Sequence, residues 1–252
     1  MNNKVLVAMS GGVDSSVAAA LLQRQGYEVS GVTLRLFDND DLGLKQKTCC
    51  SLTDVQDARS VAHALGFEHH VFNFRQRFMQ DVVQRFTQQY LEGLTPNPCI
   101  DCNRFIKFSA LLDRALLLDH HYIATGHYAR VARDAATGRY LLKRPFDRAK
   151  DQTYALYALT QKQLEHTLFP LGELDKTQVR AVARELGLGI AAKPDSQDIC
   201  FVPDGDYAAF IEQHTGEPAL PGNFIDPEGN PIGRHQGVVR YTIGQRKGLG
   251  GF

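Results

Sequence analysis

Within two residues of the apolar run Val5-Leu6-Val7-Ala8 comes Ser10-Gly11-Gly12, and after it a stretch with helical spacing. Lys4 to Met9 reads as a buried strand. Val13, Val17, Ala20 and Leu21 fall on one face of a helix over Val13 to Gln25, with Gly26 just beyond its end. A strand that enters a helix through a glycine turn leaves orphan N–H groups and the positive end of a dipole at the turn. The glycines let backbone approach an anion closely, and Ser10, Ser15 and Ser16 add hydroxyl donors, so the run predicts an anion cradle. Asp14 sits awkwardly beside phosphate unless Mg²⁺ or a helix donor holds it. No G-x-x-x-x-G-K-[ST] and no G-x-G-x-x-G occurs, which disfavours a kinase-like ATPase and a dinucleotide-binding enzyme.

The pattern continues as alternating elements. Strands are expected at Glu28 to Phe37, Glu68 to Phe74 and His121 to Thr125, with helices at Thr53 to Leu65, 76–92 and 103–118. Such alternation argues for a parallel sheet with right-handed crossovers and helices on both faces. A hairpin follows around Thr137-Gly138, then helices at about 161–167, 175–187 and 206–214. Asp175 with Gln178 resembles a capping box. From Gly216 the chain is rich in Gly and Pro, with a second hairpin around Asp226 to Asn230. The organisation expected is residues 1–160, 161–214 as a small helical domain, and 215–252 as the start of a β-barrel. Two or three strands are too few for a stable all-β unit, which suggests a truncated chain or a final domain cut short.

Composition narrows the class. The 252 residues balance 28 Lys and Arg against 28 Asp and Glu, with 43% apolar residues, which excludes a disordered tail, a collagen-like fibre and a small disulfide scaffold. The longest uncharged stretch, Gln152 to Gln161, is about half of what a membrane span needs. The first residues do not fit a signal peptide, so a reducing compartment, the cytoplasm or an organelle matrix, is expected.

Five cysteines are sparse and odd in number, unlike a disulfide framework. Cys99-Ile-Asp-Cys102 is half of a zinc site or a redox pair by spacing, but Cys49-Cys50 are adjacent and do not supply the second half. Buried inert thiols are the plain alternative for Cys49 and Cys50. Cys102 falls at the start of an expected helix, near Arg104 and Lys107, where a thiol pKa is lowered. Cys200 lies in an irregular loop, Lys193 to Val202, and reactive groups are often carried on loops.

The string Ser10-Gly-Gly-Val-Asp-Ser15 resembles the PP-loop of ATP pyrophosphatases, which split ATP between its α and β phosphates. Further motifs follow in order: Asn97-Pro98, with Cys102-Asn-Arg-Phe-Ile-Lys-Phe108; Ala124-Thr-Gly-His-Tyr-Ala-Arg130; Lys150-Asp151-Gln152; Asp195-Ser-Gln-Asp-Ile-Cys-Phe201; and His235-Gln-Gly with Tyr241 to Gly250. Six motifs in register identify the chain as resembling the tRNA-specific 2-thiouridylase family (MnmA type), over essentially its whole length. The resemblance implies an adenine nucleotide alpha hydrolase-like α/β fold. It implies ATP-dependent 2-thiolation of the wobble uridine, position 34, of tRNA of the Glu, Gln and Lys type. ATP, with Mg²⁺, would adenylate the uridine O2, and sulfur would come from a persulfide donor protein.

The same resemblance assigns roles. Cys102 would be the catalytic cysteine and Cys200 the persulfide carrier, with a Cys102–Cys200 disulfide left after transfer. Ala8, Met9, Ser10, Gly11, Gly12, Val13, Asp14, Ser15, Leu34 and Gly126 would bind ATP. Asn97, Pro98 and Cys99 would lie beside the target base, and His127, Lys150, Asp151 and Gln152 would contact tRNA. Some members carry an acidic residue where this chain has Cys99, and Asp101 is nearby. Across 130–150, seven basic residues face two acidic ones, a stretch that fits phosphate tracking. Tyr128 and Tyr140 would stack on bases or pack the hairpin. Two alternatives stay open: a PP-loop ligase adenylating a small molecule for amination, and a catalytically silent nucleotide- or RNA-binding module.

Overall fold

A computed structural model describes residues 2–38, 52–194, 199–202 and 204–249. Cys49 and Cys50 lie outside the described residues.

Strand β1 (Lys4–Ala8) enters helix α1 (Val13–Arg24), which is followed by β2 (Glu28–Arg35), α2 (Leu52–Leu65) and β3 (His69–Asn73). Two long helices come next, α3 over 75–91 and α4 over 98–117, and then β4 (Tyr122–Ala124). The hairpin β5 (Arg130–Arg133) and β6 (Tyr140–Lys143) precedes α5 (Gln161–Glu165), β7 (Thr167–Leu168) and α6 (Lys176–Glu185). Helix α7 (Tyr207–Thr215) and the hairpin β8 (Gly222–Ile225) and β9 (Pro231–His235) follow.

The main sheet has the order β3-β2-β1-β4-β7, parallel throughout. The expected four strands are there, and a fifth joins them: Thr167, expected at the end of a helix, pairs with Ile123 instead. Its side chain explains the switch. Thr167 Oγ1 donates to the Gln163 carbonyl at 2.6 Å, which closes α5 and turns the chain into the sheet. The Asp175–Gln178 capping box forms as expected and starts α6.

The period of two along β1 separates two cores. Val5 and Val7 face a cluster with Val13, Val17, Ala58, Val61, Val179 and Ala183, on the side of α1, α2 and α6. Leu6 faces the other way, to a cluster with Phe78, Phe86, Ile106, Leu111, Phe201 and Phe210, on the side of α3, α4 and α7. Helices thus cover both faces, as a parallel sheet requires.

Chain order reverses at β1, whose neighbours are β2 on one side and β4 on the other. Ligands of open α/β sheets bind at such a point, beyond the carboxyl ends of the strands. The Gly11-Gly12 turn leaves β1 there.

Both long helices contain π-helical turns, Met79–Val83 in α3 and Cys102–Ala110 in α4. Each such turn holds more residues than an α turn, and they recur near functional sites.

Candidate active site

The turn after β1 is closed by its own serines. The amide of Ser10 donates to Ser15 Oγ at 3.2 Å. Ser15 Oγ and Ser16 Oγ donate to the Gly12 carbonyl at 3.2 and 2.9 Å. Both are buried. The expectation that Ser15 and Ser16 add hydroxyl donors for an anion is therefore corrected: these hydroxyls hold the turn, and the exposed Ser10 is the one facing outward. Helix α1 begins at Gly12 without a side-chain cap, so its first-turn amides are the donors on offer.

Glycine is required here twice. Gly11 has φ +72°, and a Cβ there would collide with the Asp54 carbonyl of α2. A Cβ at Gly126, after β4, would lie 2.7 Å from the Ser15 nitrogen and 2.8 Å from the Asp14 carbonyl carbon. The β4 end and the α1 start are thus in backbone contact.

Asp14 is bonded by side chains from outside the turn. Lys176 of α6 donates to both of its carboxylate oxygens at 2.7 and 2.8 Å, and Tyr128 donates to Oδ1 at 3.0 Å. The ammonium offsets the carboxylate beside the anion cradle. Tyr128 is buried in the core cluster on the α1 side, so it is placed neither to stack on a base nor to pack the hairpin. Tyr140 is likewise tied down, its backbone to the Gln161 amide and its hydroxyl to Glu165 at 3.4 Å.

Asn97 caps α4: its side chain accepts the Cys99 amide at 3.0 Å, and Pro98 follows at the first helical position. The helix therefore starts one turn before Cys102, not at it. Cys102 is inside the first turns, buried, and opens the π-helical stretch, so the helix-start argument for its reactivity does not hold. Cys99 is exposed. Asp101 accepts from Arg85 of α3 at 3.2 Å, which makes it a strut between helices. The next residue, Asn103, is fully buried and donates to the Ala155 carbonyl at 2.9 Å.

Cys200 is partly buried, and its neighbour Phe201 is locked among Phe78, Phe86 and Phe210 at ring distances of 5.7, 5.3 and 5.3 Å. Asp195 to Asp198 lie outside the described residues. Cys102 belongs to the core cluster on this sheet face, and Cys200 packs against the same cluster, as does Ala8; Leu34 is one of its members. Two thiols 98 positions apart in sequence thereby pack on the same face of the sheet.

His127 follows β4, and its Nδ1 lies 2.7 Å from Thr125 Oγ1. Its ring is packed by Phe108 and Phe169. Burial, with the nearby Lys107, holds its pKa well below 6.5, which favours the neutral imidazole. Gln152 accepts the Tyr128 amide at 2.9 Å, and Asp151 accepts from Thr153 and pairs with Arg144 at 3.3 Å. These two shape the segment that presents Lys150. Of the seven basic residues at 130–150, Arg130 pairs with Glu173 and Arg144 with Asp151. Three exposed aromatics escaped the sequence reading: Phe146, Tyr154 and Tyr157, at 63%, 62% and 71% exposure, flank Lys150. Their interleaving with Arg148 and Lys150 was the available signal.

Among the described residues, no group of three or more His, Cys, Asp and Glu side chains is placed to hold a metal ion. No described helix is long and apolar enough to cross a membrane.

Comparison with known proteins agrees with this architecture. A family model described as the tRNA methyl transferase HUP domain matches residues 3–204, and one described as the tRNA methyl transferase PRC-barrel domain matches 208–250. The chain is 53% identical over 250 residues to the tRNA-specific 2-thiouridylase MnmA of Clostridioides difficile, a match covering 99% of this chain and 69% of that protein. It is 55% identical over 249 residues to the namesake from Acetivibrio thermocellus, covering 98% and 69%. Against MnmA 2 of Caldanaerobacter subterraneus subsp. tengcongensis it is 55% identical over 251 residues, covering 99% and 69%. These relatives give no support to the small-molecule ligase alternative. With family models matching residues 3–204 and 208–250 and this identity along nearly its full length, the chain belongs to the tRNA-specific 2-thiouridylase family.

Proposed function

We propose that this chain replaces O2 of the wobble uridine, position 34, of tRNA with sulfur, at the expense of ATP. The observation that carries the proposal is that Cys102 and Cys200 pack on one core cluster, which includes Leu34 and is touched by Ala8, the last residue of β1 before the Gly11-Gly12 turn. The residues present fit ATP. Amides of the Gly11 to Ser15 turn would receive its phosphates, and Leu34 and Gly126, at the ends of β2 and β4, would frame its adenine, with Ala8, Met9 and Val13 shaping the floor. Mg²⁺, carried in with ATP, would neutralise charge on its phosphates.

The chemistry divides a hard step in two. A urea-type carbonyl oxygen leaves poorly; as an adenylate it leaves as AMP. Uridine O2 attacks the α-phosphorus and pyrophosphate departs. The terminal sulfur of a Cys200 persulfide then attacks C2, and AMP is expelled. The Cys102 thiolate attacks Sγ of Cys200, breaking the Cys200 sulfur–sulfur bond and leaving its electron pair on the sulfur bound to C2. The Cys102–Cys200 disulfide that results is reopened by an external thiol reductant. A protein carrying a cysteine persulfide reloads Cys200.

Asn97, Pro98 and Cys99 stand where the target base would enter, while His127, Lys150, Asp151 and Gln152 contact or shape the tRNA surface. The substrates proposed are tRNAs of the Glu, Gln and Lys type, in the cytoplasm. Residues 1–160 would bind nucleotide, 161–214 support tRNA, and 215–252 begin the barrel. This division is one of roles, because α6 shares its core with α1.

The test is Cys102→Ser and Cys200→Ser, with mass spectrometry of wobble uridines after incubation with tRNA, ATP and a persulfide donor. Each variant is expected to lose 2-thiouridine and keep ATP binding. A full yield from Cys200→Ser would falsify the carrier role.

A further inference from the structure

Asp147 holds none of the positions assigned above, yet both of its carboxylate oxygens are bonded, and on different elements. Oδ1 accepts the Ala149 amide at 3.0 Å and so caps the short turn Arg148–Lys150. Oδ2 accepts the Lys176 amide at 3.2 Å, at the first position of α6. That amide is one of those a helix start leaves without an internal partner. Asp175 already serves the Gln178 amide, so Asp147 is a second carboxylate on the start of α6, reaching it from 29 positions away. An ordinary N-cap serves its own element alone; this one joins two.

Gln152 fixes the other end of the same turn. Its backbone amide donates to the Tyr128 carbonyl at 3.2 Å, and its side-chain oxygen accepts the Tyr128 amide at 2.9 Å. Lys176 and Tyr128, the residues gripped at the two ends, are the ones whose side chains converge on Asp14. A closed ring results: Asp14, Lys176, Asp147, the chain from 148 to 151, Gln152, Tyr128, and Asp14 again. Each link outside the chain itself is a hydrogen bond of 3.2 Å or shorter. The two arms also meet, with Lys176 Nζ 5.9 Å from the centre of the Tyr128 ring. Both are enclosed, Tyr128 at 2% exposure and the Lys176 side chain at 15%.

We propose that Asp147 is a positioning residue for the adenylation step. Through this ring it sets where the Lys150 turn stands relative to Asp14, and so where a tRNA lying on that turn meets the α-phosphorus of ATP. The inference rests on the nucleotide and tRNA reading given above. Adenylation joins two bound molecules, so its rate depends on their mutual placement more steeply than either affinity does; a misplacement of about 1 Å costs roughly a hundredfold. Without the Asp147 carboxylate the turn loses both its cap and its strut to α6, while the amides of the Gly11 to Ser15 turn and the basic side chains remain.

The test compares wild type, Asp147→Ala and Asp147→Asn. Three quantities are read: the Kd of α,β-methylene-ATP, the Kd of an unmodified tRNA of the Glu type, and the first-turnover rate of pyrophosphate release with ATP and tRNA both saturating. Asp147→Ala is expected to release pyrophosphate at least tenfold more slowly, with neither Kd weakened by more than about threefold. Asp147→Asn removes the same charge but keeps one acceptor oxygen, so it holds one of the two bonds and is expected to recover part of the rate. It carries the test alone if a thermal melt finds Asp147→Ala unfolded; a rate within twofold of wild type then overturns the proposal. A folded Asp147→Ala with a rate within twofold of wild type overturns the positioning role. So does a tenfold weaker Kd for either ligand with the saturating rate unchanged, which makes Asp147 a binding residue. A wild type that binds neither the analogue nor tRNA overturns the reading beneath, and the role of the ring with it.

Discussion

Gly126→Ala places one methyl group between β4 and the start of α1. The new Cβ would stand 2.7 Å from the Ser15 nitrogen and 3.0 Å from Asp14 Cβ, where ordinary contact begins at 3.4 Å. About 0.7 Å must be found, and the opposing atoms are mostly backbone, so no flexible side-chain end can yield. If α1 retreats, amide-to-phosphate distances grow from about 2.9 Å to about 3.6 Å, beyond hydrogen-bonding range. One lost bond to a charged group costs about 1.5–3 kcal/mol, or roughly ten- to a hundredfold in ATP affinity. If α1 does not retreat, overpacking of about 1–3 kcal/mol stays in the fold, and the melting temperature drops by about 2–4 °C per kcal/mol. ATP titration calorimetry and a thermal melt read both outlets. Gly189→Ala is the control, since its Cβ meets nothing within 4 Å and its φ is not positive. A Gly126→Ala protein that binds ATP within about twofold of wild type and melts at the same temperature would refute the contact argument.

Other expectations can be checked with equal directness. Phe201→Ala removes a buried ring from its aromatic cluster, at a cost of about 3–5 kcal/mol in denaturant unfolding, and should raise the alkylation rate of Cys200. Lys176→Met leaves Asp14 uncompensated and should weaken ATP binding; Asp14→Asn in the same chain should restore part of it, and no restoration would remove Lys176 from its offsetting role. Tyr154→Ala and Tyr157→Ala should each weaken tRNA binding by about 1–3 kcal/mol if a base stacks there, without changing the salt slope. Arg139→Ala should instead lower that slope by about one. Burial, with Arg59 and His70, pushes the His69 pKa down to about 4. The unfolded chain takes up this proton first, near pH 6.5, so the stability contributed is present above that pH and lost as pH falls toward about 4. His69→Gln should flatten part of the slope in pH-dependent melts.

Much of the fold could be read in order along the chain because its signals are local. The continuous apolar run Val5 to Ala8 marked a buried strand, and Gly11-Gly12 marked the switch from strand to helix. The roles of Cys102, Cys200, Gly126 and Leu34 came from resemblance, although helix and loop position had already singled out the two cysteines. What stayed hidden depended on partners far away. Asp14 needs Lys176, 162 positions on, and Lys193 needs Gly11, 182 positions back. The two-residue β7 has no pattern of its own and exists through its pairing with β4. The serines of the turn misled for a geometric reason: a hydroxyl two or three residues into a helix reaches the carbonyl behind it as readily as a ligand in front.

The π-helical stretch from Cys102 to Ala110 gives helix α4 an unusual arithmetic. An α-helix advances about 100° per residue, so one residue more or less rotates everything on one side of the change against the other. The wide turns of α4 are where such an extra residue is absorbed. Deleting Phe105, the less buried of the two residues between Arg104 and Lys107, would let the helix tighten towards regular α geometry. Phe108, Leu111 and Leu112 would keep their seats in the core, and the cysteine would be swung about a quarter-turn off its bearing. Sulfur delivery in this chain is therefore a matter of register, and a well-folded protein one residue shorter would be a mute one.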